Sequence, residues 1–149
     1  MNGSLPVFVD TNVLVYSRDA SEPAKQARAA AWLEELWRSR RGRLSWQVLQ
    51  EFYVTVTMKL DPGMDPGRAR AEVRELAAWE PVSTKQPVVE GAWALQDRFA
   101  LSFWDALIVS AARVSGCRML LTEDLQNGQR FEELEVVNPF QRPPEPARG

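Results

Sequence analysis

The sequence predicts an α/β fold: a mostly parallel central sheet with helices on both faces. Three observations predict it. Short, largely apolar runs at Val7–Val9, 118–122 and 134–137 are too brief for helices, and the unbroken hydrophobicity of Val7–Val9 suits a parallel strand buried on both faces. Longer stretches between them carry apolar residues at helical spacing, so strands alternate with helices. Acids follow two of the runs directly, Asp10 after Val9 and Asp124 just after Thr122, and in such sheets ligands gather at the carboxyl ends of strands. The length of 149 residues suits one compact domain, read here as residues 1–140 with a flexible tail at 141–149.

The elements follow in order. Val7–Val9 is the first strand, closed by the turn formers Asp10, Thr11 and Asn12, after which 13–16 is a short apolar segment of open assignment. Pro23 marks a helix start, and Ala30, Leu33, Leu36 and Trp37 keep helical spacing to about Arg38. The basic stretch 38–43 reads first as a solvated helix end, where cations suit the carbonyl dipole. Residues 43–45 form a second short strand, and Ser45 is also placed to cap a helix from about Trp46 to Leu60. There Val48, Leu49, Phe52, Val56 and Leu60 make the apolar face, while Gln47, Glu51 and Thr55 form a polar stripe at four-residue steps. The run 61–67, with two Asp-Pro pairs, is the strongest loop signal; Asp65 and Pro66 then open a helix to about Trp79.

A weak third strand is expected at 80–83, weakened by Pro81, and a further helix at 87–99. Ser102 followed by Asp105 is a capping-box pattern opening a helix that Ser115 and Gly116 close. Its apolar face is read as Phe103, Leu107, Ala111 and Val114, joined by Trp104 and Ile108, with Asp105 pointing away from it. The strands at 118–122 and 134–137 complete the pattern, and the Pro- and Arg-rich segment from Pro139 onward reads as poorly ordered.

Composition narrows the chemistry. There is no His, which removes the commonest general base and zinc ligand, and the lone Cys117 allows neither an internal disulfide nor a thiolate cage. With no His to activate it, Cys117 reads as a small core residue. The net charge of −2 argues against a general electrostatic nucleic-acid binder. The N-terminal residues lack a signal-peptide pattern and no apolar run reaches membrane-spanning length, so the expectation is a soluble cytoplasmic protein that does not engage a membrane.

Asp10, Glu51, Asp105 and Asp124 are the candidate functional set. Each has a plain structural reading: an Asx turn, an exposed helix acid, a helix cap, and a turn residue with Glu123 as its competitor. Brought together without Lys or Arg, carboxylates repel one another unless protonated or neutralised. Mg²⁺ or Mn²⁺ is the natural partner for oxygen-only ligands, and such an ion can lower the pKa of a bound water and offset charge on a phosphate.

The order of motifs resembles the PIN-domain family, and most closely its VapC-like ribonuclease toxins from type II toxin–antitoxin pairs. The resemblance runs from Phe8 to about Phe140. It is carried by Phe8-Val9-Asp10-Thr11-Asn12-Val13-Leu14, by residues 45–52 ending in Glu51-Phe52, by Ser102-Phe103-Trp104-Asp105-Ala106-Leu107-Ile108, and by Leu120-Leu121-Thr122-Glu123-Asp124-Leu125. The third piece is the most specific. The resemblance implies a three-layer α/β/α sandwich and metal-dependent endoribonuclease activity with Mg²⁺ or Mn²⁺, in which water attacks phosphorus in line with the leaving oxygen. It implies Asp10 and Asp105 as core metal ligands, Glu51 and Asp124 completing the cluster directly or through water, and Thr11 or Asn12 orienting a water or a phosphate oxygen. It also implies a homodimer and an antitoxin whose tail covers the acids; the helical pair around 61–67 is the candidate contact. Arg38, Arg40, Arg41, Arg43 and Lys59 are candidate RNA contacts. Two rivals are weaker. A haloacid-dehalogenase-like phosphatase would want a second acid at position 12, where Asn stands. A non-catalytic PIN-like binding module would gain nothing from a repulsive acidic cluster.

Overall fold

The computed structural model describes residues 5–146. β1 (Val7–Val9) lies between β2 (Gly42–Arg43) and β3 (Met119–Leu121), both parallel to it, and β5 (Leu134–Val137) adds parallel to β3. A short β4 (Arg130–Phe131) closes the far side antiparallel to β5, giving the order β2-β1-β3-β5-β4. The helices α1 (Thr11–Tyr16), α2 (Pro23–Ser39), α3 (Trp46–Met58), α4 (Pro66–Leu76), α5 (Gln86–Arg98) and α6 (Phe103–Val114) flank this sheet in a three-layer α/β/α arrangement. Chain order makes the site. From β1 the chain leaves toward β2 on one side, and from β3 it leaves toward β5 on the other. The gap beyond the carboxyl ends of β1 and β3 is therefore the point where connections diverge and a crevice opens.

The core sits where sequence periodicity put it. Val7, Phe8, Val9, Leu120 and Leu121 are buried in the central strands, and Val48, Leu49, Phe52 and Val56 form the buried face of α3. α6 is buried from Ala106 through Ala112 rather than on one face, because α5 packs along it on one side and β3 on the other. Trp104 and Val114, read as part of its apolar face, are instead 64% and 53% exposed; they lie in the first and last turns, beyond the reach of that packing.

Local chemistry sets the helix ends. Ser45 Oγ accepts from the Val48 N–H (3.2 Å), Asp65 from the Arg68 N–H (3.1 Å) and Ser102 Oγ from the Asp105 N–H (3.1 Å). The open segment after Asn12 is helical, with Asp10 as its N-cap. The strand expected at 43–45 is shifted to Gly42–Arg43. Beyond Arg43 the chain leaves β1: Val82 N–H donates to the Leu44 carbonyl and Trp46 N–H to the Val82 carbonyl, both at 3.0 Å. The third strand expected at 80–83 shrinks to this single bridge between Ser45 and Val82, since Pro81 has no N–H to extend it. α4 ends at Leu76, and a 3₁₀ turn carries the chain through Trp79. Gly42 is required where it stands: a Cβ there would meet Trp79 ring carbons at 2.5–2.7 Å.

The tail expected from 141 onward is tethered as far as it is described. Trp32 Nε1 donates to the carbonyls of Pro139 (3.2 Å) and Arg142 (2.9 Å), and Arg41 donates to the Glu145 carbonyl (3.2 Å). The Phe140 ring packs edge-on against Tyr16 at 5.1 Å. Composition suggested disorder because Pro and Arg dominate; it could not show that a buried indole offers a donor to those carbonyls. Residues 147–149 of that tail lie outside the described residues.

Candidate metal centre

Asp10 follows β1 directly and is 6% exposed. Its Oδ1 accepts from the Thr11 N–H (2.7 Å) as the cap of α1, while Oδ2 accepts from the Thr122 hydroxyl (2.8 Å) and the Asn12 amide (3.4 Å). Thr122, at the end of β3, is the hub. Its hydroxyl donates to Asp10 and accepts from Asn12 Nδ2 (3.0 Å) and the Asp124 N–H (3.1 Å), so its one hydrogen and two lone pairs are all used. Asn12 also donates to Asp124 Oδ2 (3.2 Å) and accepts from the Glu123 N–H (3.3 Å). Parallel pairing of β1 with β3, Val9 opposite Leu121, brings these residues together across more than a hundred positions of sequence.

Glu51 reaches the same edge from α3. Its Oε2 accepts from the Thr11 hydroxyl (2.9 Å) and its Oε1 from Gln47 Nε2 (3.0 Å), one turn earlier on the polar stripe. Asp105 sits half-buried in the first turn of α6. Its N–H is capped by Ser102, but among the described residues no hydrogen bond reaches its carboxylate. Only the serine half of the expected capping box forms, which leaves that carboxylate available.

Electrostatics ties the four acids together. Burial pushes the Asp10 carboxyl up to about 7; the Thr122 hydroxyl and the Thr11 N–H oppose this, while the charges of Asp124 and Glu51 add to it. Asp124 is raised chiefly by burial, with the Asn12 amide opposing and the charges of Asp105, Glu123 and Glu51 adding. Among the described residues no Lys or Arg forms an ion pair with Asp10, Glu51, Asp105 or Asp124. The donor set is oxygen only, which fits a hard divalent cation. The acids do not form a closed cage: among the described residues no three stand close enough to hold one ion directly.

The other candidates divide. Glu123, the competitor of Asp124, turns away to Lys25 (2.8 Å), whose ammonium also lies 4.6 Å from the Tyr16 ring centroid. Arg40 and Arg41 precede β2, at the end of the sheet opposite the acids. Arg41 is 6% exposed and its Nη2 is 3.8 Å from Glu35, with Ser39 and the Glu145 carbonyl as further partners; it holds structure and is not accessible to RNA. Arg43 points two donors into the carbonyls of Arg40 and Gly42. Lys59 is exposed at the end of α3, two turns beyond Glu51. None of these cations converges on the carboxylates. Cys117 is buried with its thiol pushed up to about 11, as a core residue would be.

Thr122 and Lys25 are the contributors that sequence reasoning missed. A hydroxyl ending an apolar strand just before two acids was a signal for Thr122. Lys25 gave none, because its partner lies 98 positions away.

Among the described residues no helix is long and apolar enough to cross a membrane. No curated protein matches the chain. A solved structure described as a toxin-antitoxin complex from Klebsiella pneumoniae superposes with a TM-score of 0.58, covering 89% of this chain and 97% of that one at 19% identity, a likeness of fold. The PIN domain family model matches residues 7–134, from the start of β1 to the start of β5. With the acids at the carboxyl ends of β1 and β3 and on α3 and α6, the match covers every element that builds the site, and the chain belongs to the PIN domain family.

Proposed function

We propose that the protein is a metal-dependent endoribonuclease, the toxin of a type II toxin–antitoxin pair of the VapC-like kind. One observation carries the reading: a buried Asp10, fixed by neutral donors and raised chiefly by its burial and then by the charges of Asp124 and Glu51, with no Lys or Arg ion pair among the described residues. A structural carboxylate would be expected to have found a Lys or Arg. Asp10 and Asp105 would hold Mg²⁺ or Mn²⁺, with Asp124 and Glu51 completing the shell directly or through water. The bound ion supplies a water of lowered pKa and offsets charge on the phosphate. The chain's own residues do the positioning. Thr11 Oγ1 and Gln47 orient Glu51, Thr122 and the Thr11 N–H fix the two oxygens of Asp10, and Asn12 ties Asp124 to Asp10. In the reaction a water oxygen would bond to phosphorus and give up a proton, while the ester P–O bond breaks and the leaving oxygen takes up a proton from solvent.

The toxin half of the reading draws on the solved toxin–antitoxin complex of similar fold. An antitoxin contact along α3 and α4 is supported by an apolar strip of exposed Trp46 and Val54 with half-buried Tyr53 and Val73, floored by buried Leu49. Homodimerisation and a cytoplasmic location belong to the same reading.

The test is cleavage of an RNA pool by the full chain with Mn²⁺ or Mg²⁺, with chelator, and with Asp10→Asn. Cleavage that needs metal and Asp10 supports the reading. If calorimetry detects no divalent-ion binding, the reading fails in favour of a non-catalytic binding module.

A further inference from the structure

The basic turn before β2 is not part of the acid edge, yet it lines a cleft of its own. Trp37 at the end of α2, Arg40, Arg43 and Trp79, with Glu80 at the rim, enclose about 350 Å³ beside the edge strand β2. We propose that this cleft binds one nucleotide of the RNA flanking the scissile bond, and that it prefers a base carrying an amino group. The proposal rests on the nuclease reading for its choice of ligand.

Three features point to a nucleotide. The first is a flat apolar face. Trp37 is 42% exposed, as Trp46, Trp93 and Trp104 also are in part, but among the described residues Trp37 alone of these leans on a second indole. It leans on buried Trp79 with centroids 5.0 Å apart at 53°. Trp79 is fixed in turn, seated on Gly42 where no side chain could fit. A base stacked on such a platform gains about 1–3 kcal/mol whatever its sequence.

The second is a pair of guanidinium groups. Arg43 uses one nitrogen, Nη1, for the carbonyls of Arg40 (3.2 Å) and Gly42 (2.8 Å). That holds the fork in place, and among the described residues its Nε and Nη2 donate to nothing. Arg40 is exposed, and among the described residues its side chain makes no hydrogen bond or ion pair. Two open forks beside an aromatic face match a phosphate next to a base.

The third is Glu80, a single carboxylate among these cations, with no ion pair among the described residues. It accepts hydrogen bonds only. An exocyclic amino group of cytosine, adenine or guanine would donate to it, whereas uracil offers a carbonyl at that position.

Placement and charge favour RNA over an acidic peptide. Arg43 pairs in register with Phe8 and Gly42 with Val7, two and three residues before Asp10, so the cleft lies about 7–10 Å or more back along the strand direction from the acid edge. That is too far for the scissile phosphate and suits a flanking nucleotide. The chain carries a net charge of −2, and four acids with no ion pair among the described residues face the proposed site of cleavage, so a strand needs a cationic hold elsewhere.

The experiment is fluorescence anisotropy of short labelled oligocytidylate and oligouridylate on the full chain, in chelator so that nothing is cut. Wild type is expected to bind oligocytidylate about threefold more tightly, and Glu80→Gln to abolish that preference. Arg40→Glu should weaken both RNAs roughly tenfold and lower the salt slope by about one. Trp37→Ala should cost about tenfold and Trp37→Phe much less; melting curves verify that each variant folds. Equal binding of the two RNAs by wild type, or native affinity in Arg40→Glu and Trp37→Ala, overturns the proposal. Failure of the nuclease reading looks different. A chain that binds as described but never cuts RNA keeps the cleft and loses the activity, and one that cuts with metal yet ignores these substitutions keeps the activity and loses the cleft.

Discussion

Asp10 and Arg41 are buried to the same extent, 6% exposed each, at opposite ends of the same sheet, and they are treated in opposite ways. Arg41 has Glu35 at 3.8 Å, the Ser39 hydroxyl at 3.0 Å and the Glu145 carbonyl at 3.2 Å, so its charge is compensated in place. Among the described residues Asp10 has hydroxyl, amide and backbone donors, and the charges acting on it are those of Asp124 and Glu51. A buried charge costs several kcal/mol to desolvate and persists where something repays that cost. For Arg41 the repayment is internal. For Asp10 no such partner stands among the described residues, an arrangement that a divalent cation would complete.

The contrast can be broken at either end. The largest effect is expected in activity: Asp10→Asn and Asp105→Asn should each lower metal-dependent RNA cleavage roughly a thousandfold while leaving the fold intact, read by cleavage assay beside a melting curve. Full activity in either variant would dissolve the distinction. Arg41→Met should do the reverse, losing about 2–3 kcal/mol of stability by denaturant unfolding with unchanged turnover per folded molecule. A turnover defect without lost stability would move Arg41 into the site.

The pH dependence has a definite sign. The Asp10 carboxyl titrates near 7 in the fold against an ordinary 3.8, so folding favours its protonated form. That stabilisation is complete below about 3.8 and is lost as pH rises through 7. Metal-free protein should therefore be more stable at pH 5 than at pH 8, by on the order of 2 kcal/mol. Asp10→Asn should flatten that slope, and Mg²⁺ should raise wild-type stability at pH 8. A wild-type slope that survives in Asp10→Asn would assign the titration to another group. The smallest effect is expected at Thr122→Val, which removes the hub hydroxyl shared by Asp10, Asn12 and the Asp124 N–H. It should cost about 1–2 kcal/mol and weaken Mg²⁺ binding in calorimetry; unchanged binding would make the hub purely structural.

The acid end was more legible than the basic end. Apolar runs fixed β1, β3 and β5, and acids placed just after them had to open on one edge once the strands ran parallel. Cap residues located α3, α4 and α6 because Ser and Asp at those positions satisfy specific backbone N–H groups. β4 went unread, since two residues, one of them the exposed Arg130, carry no periodicity and form a strand only against β5. The basic run 38–43 looked uniform in sequence but splits by burial: Arg38 is exposed and bonded to Glu35, Arg41 is interior, and Arg43 clasps carbonyls. Which side a cation takes depends on partners such as Glu145, a hundred residues away. The same distance hid Lys25, whose capture of Glu123 leaves Asp124 as the acid that faces Asn12.

Asp10 caps α1 as well as facing the acid cluster, and Asn or Ser caps a helix about as well as Asp does. Capping alone therefore exerts no pull to keep the carboxylate, and like-charge repulsion pushes against it, while its second oxygen is held by Thr122 and Asn12. In lineages where selection for activity has lapsed, position 10 should drift to Asn or Ser first, ahead of any loss in the strands. On the proposed function, a surviving Asp at this position would be a record of use, and a neutral residue there would mark a descendant that kept the scaffold and gave up the chemistry.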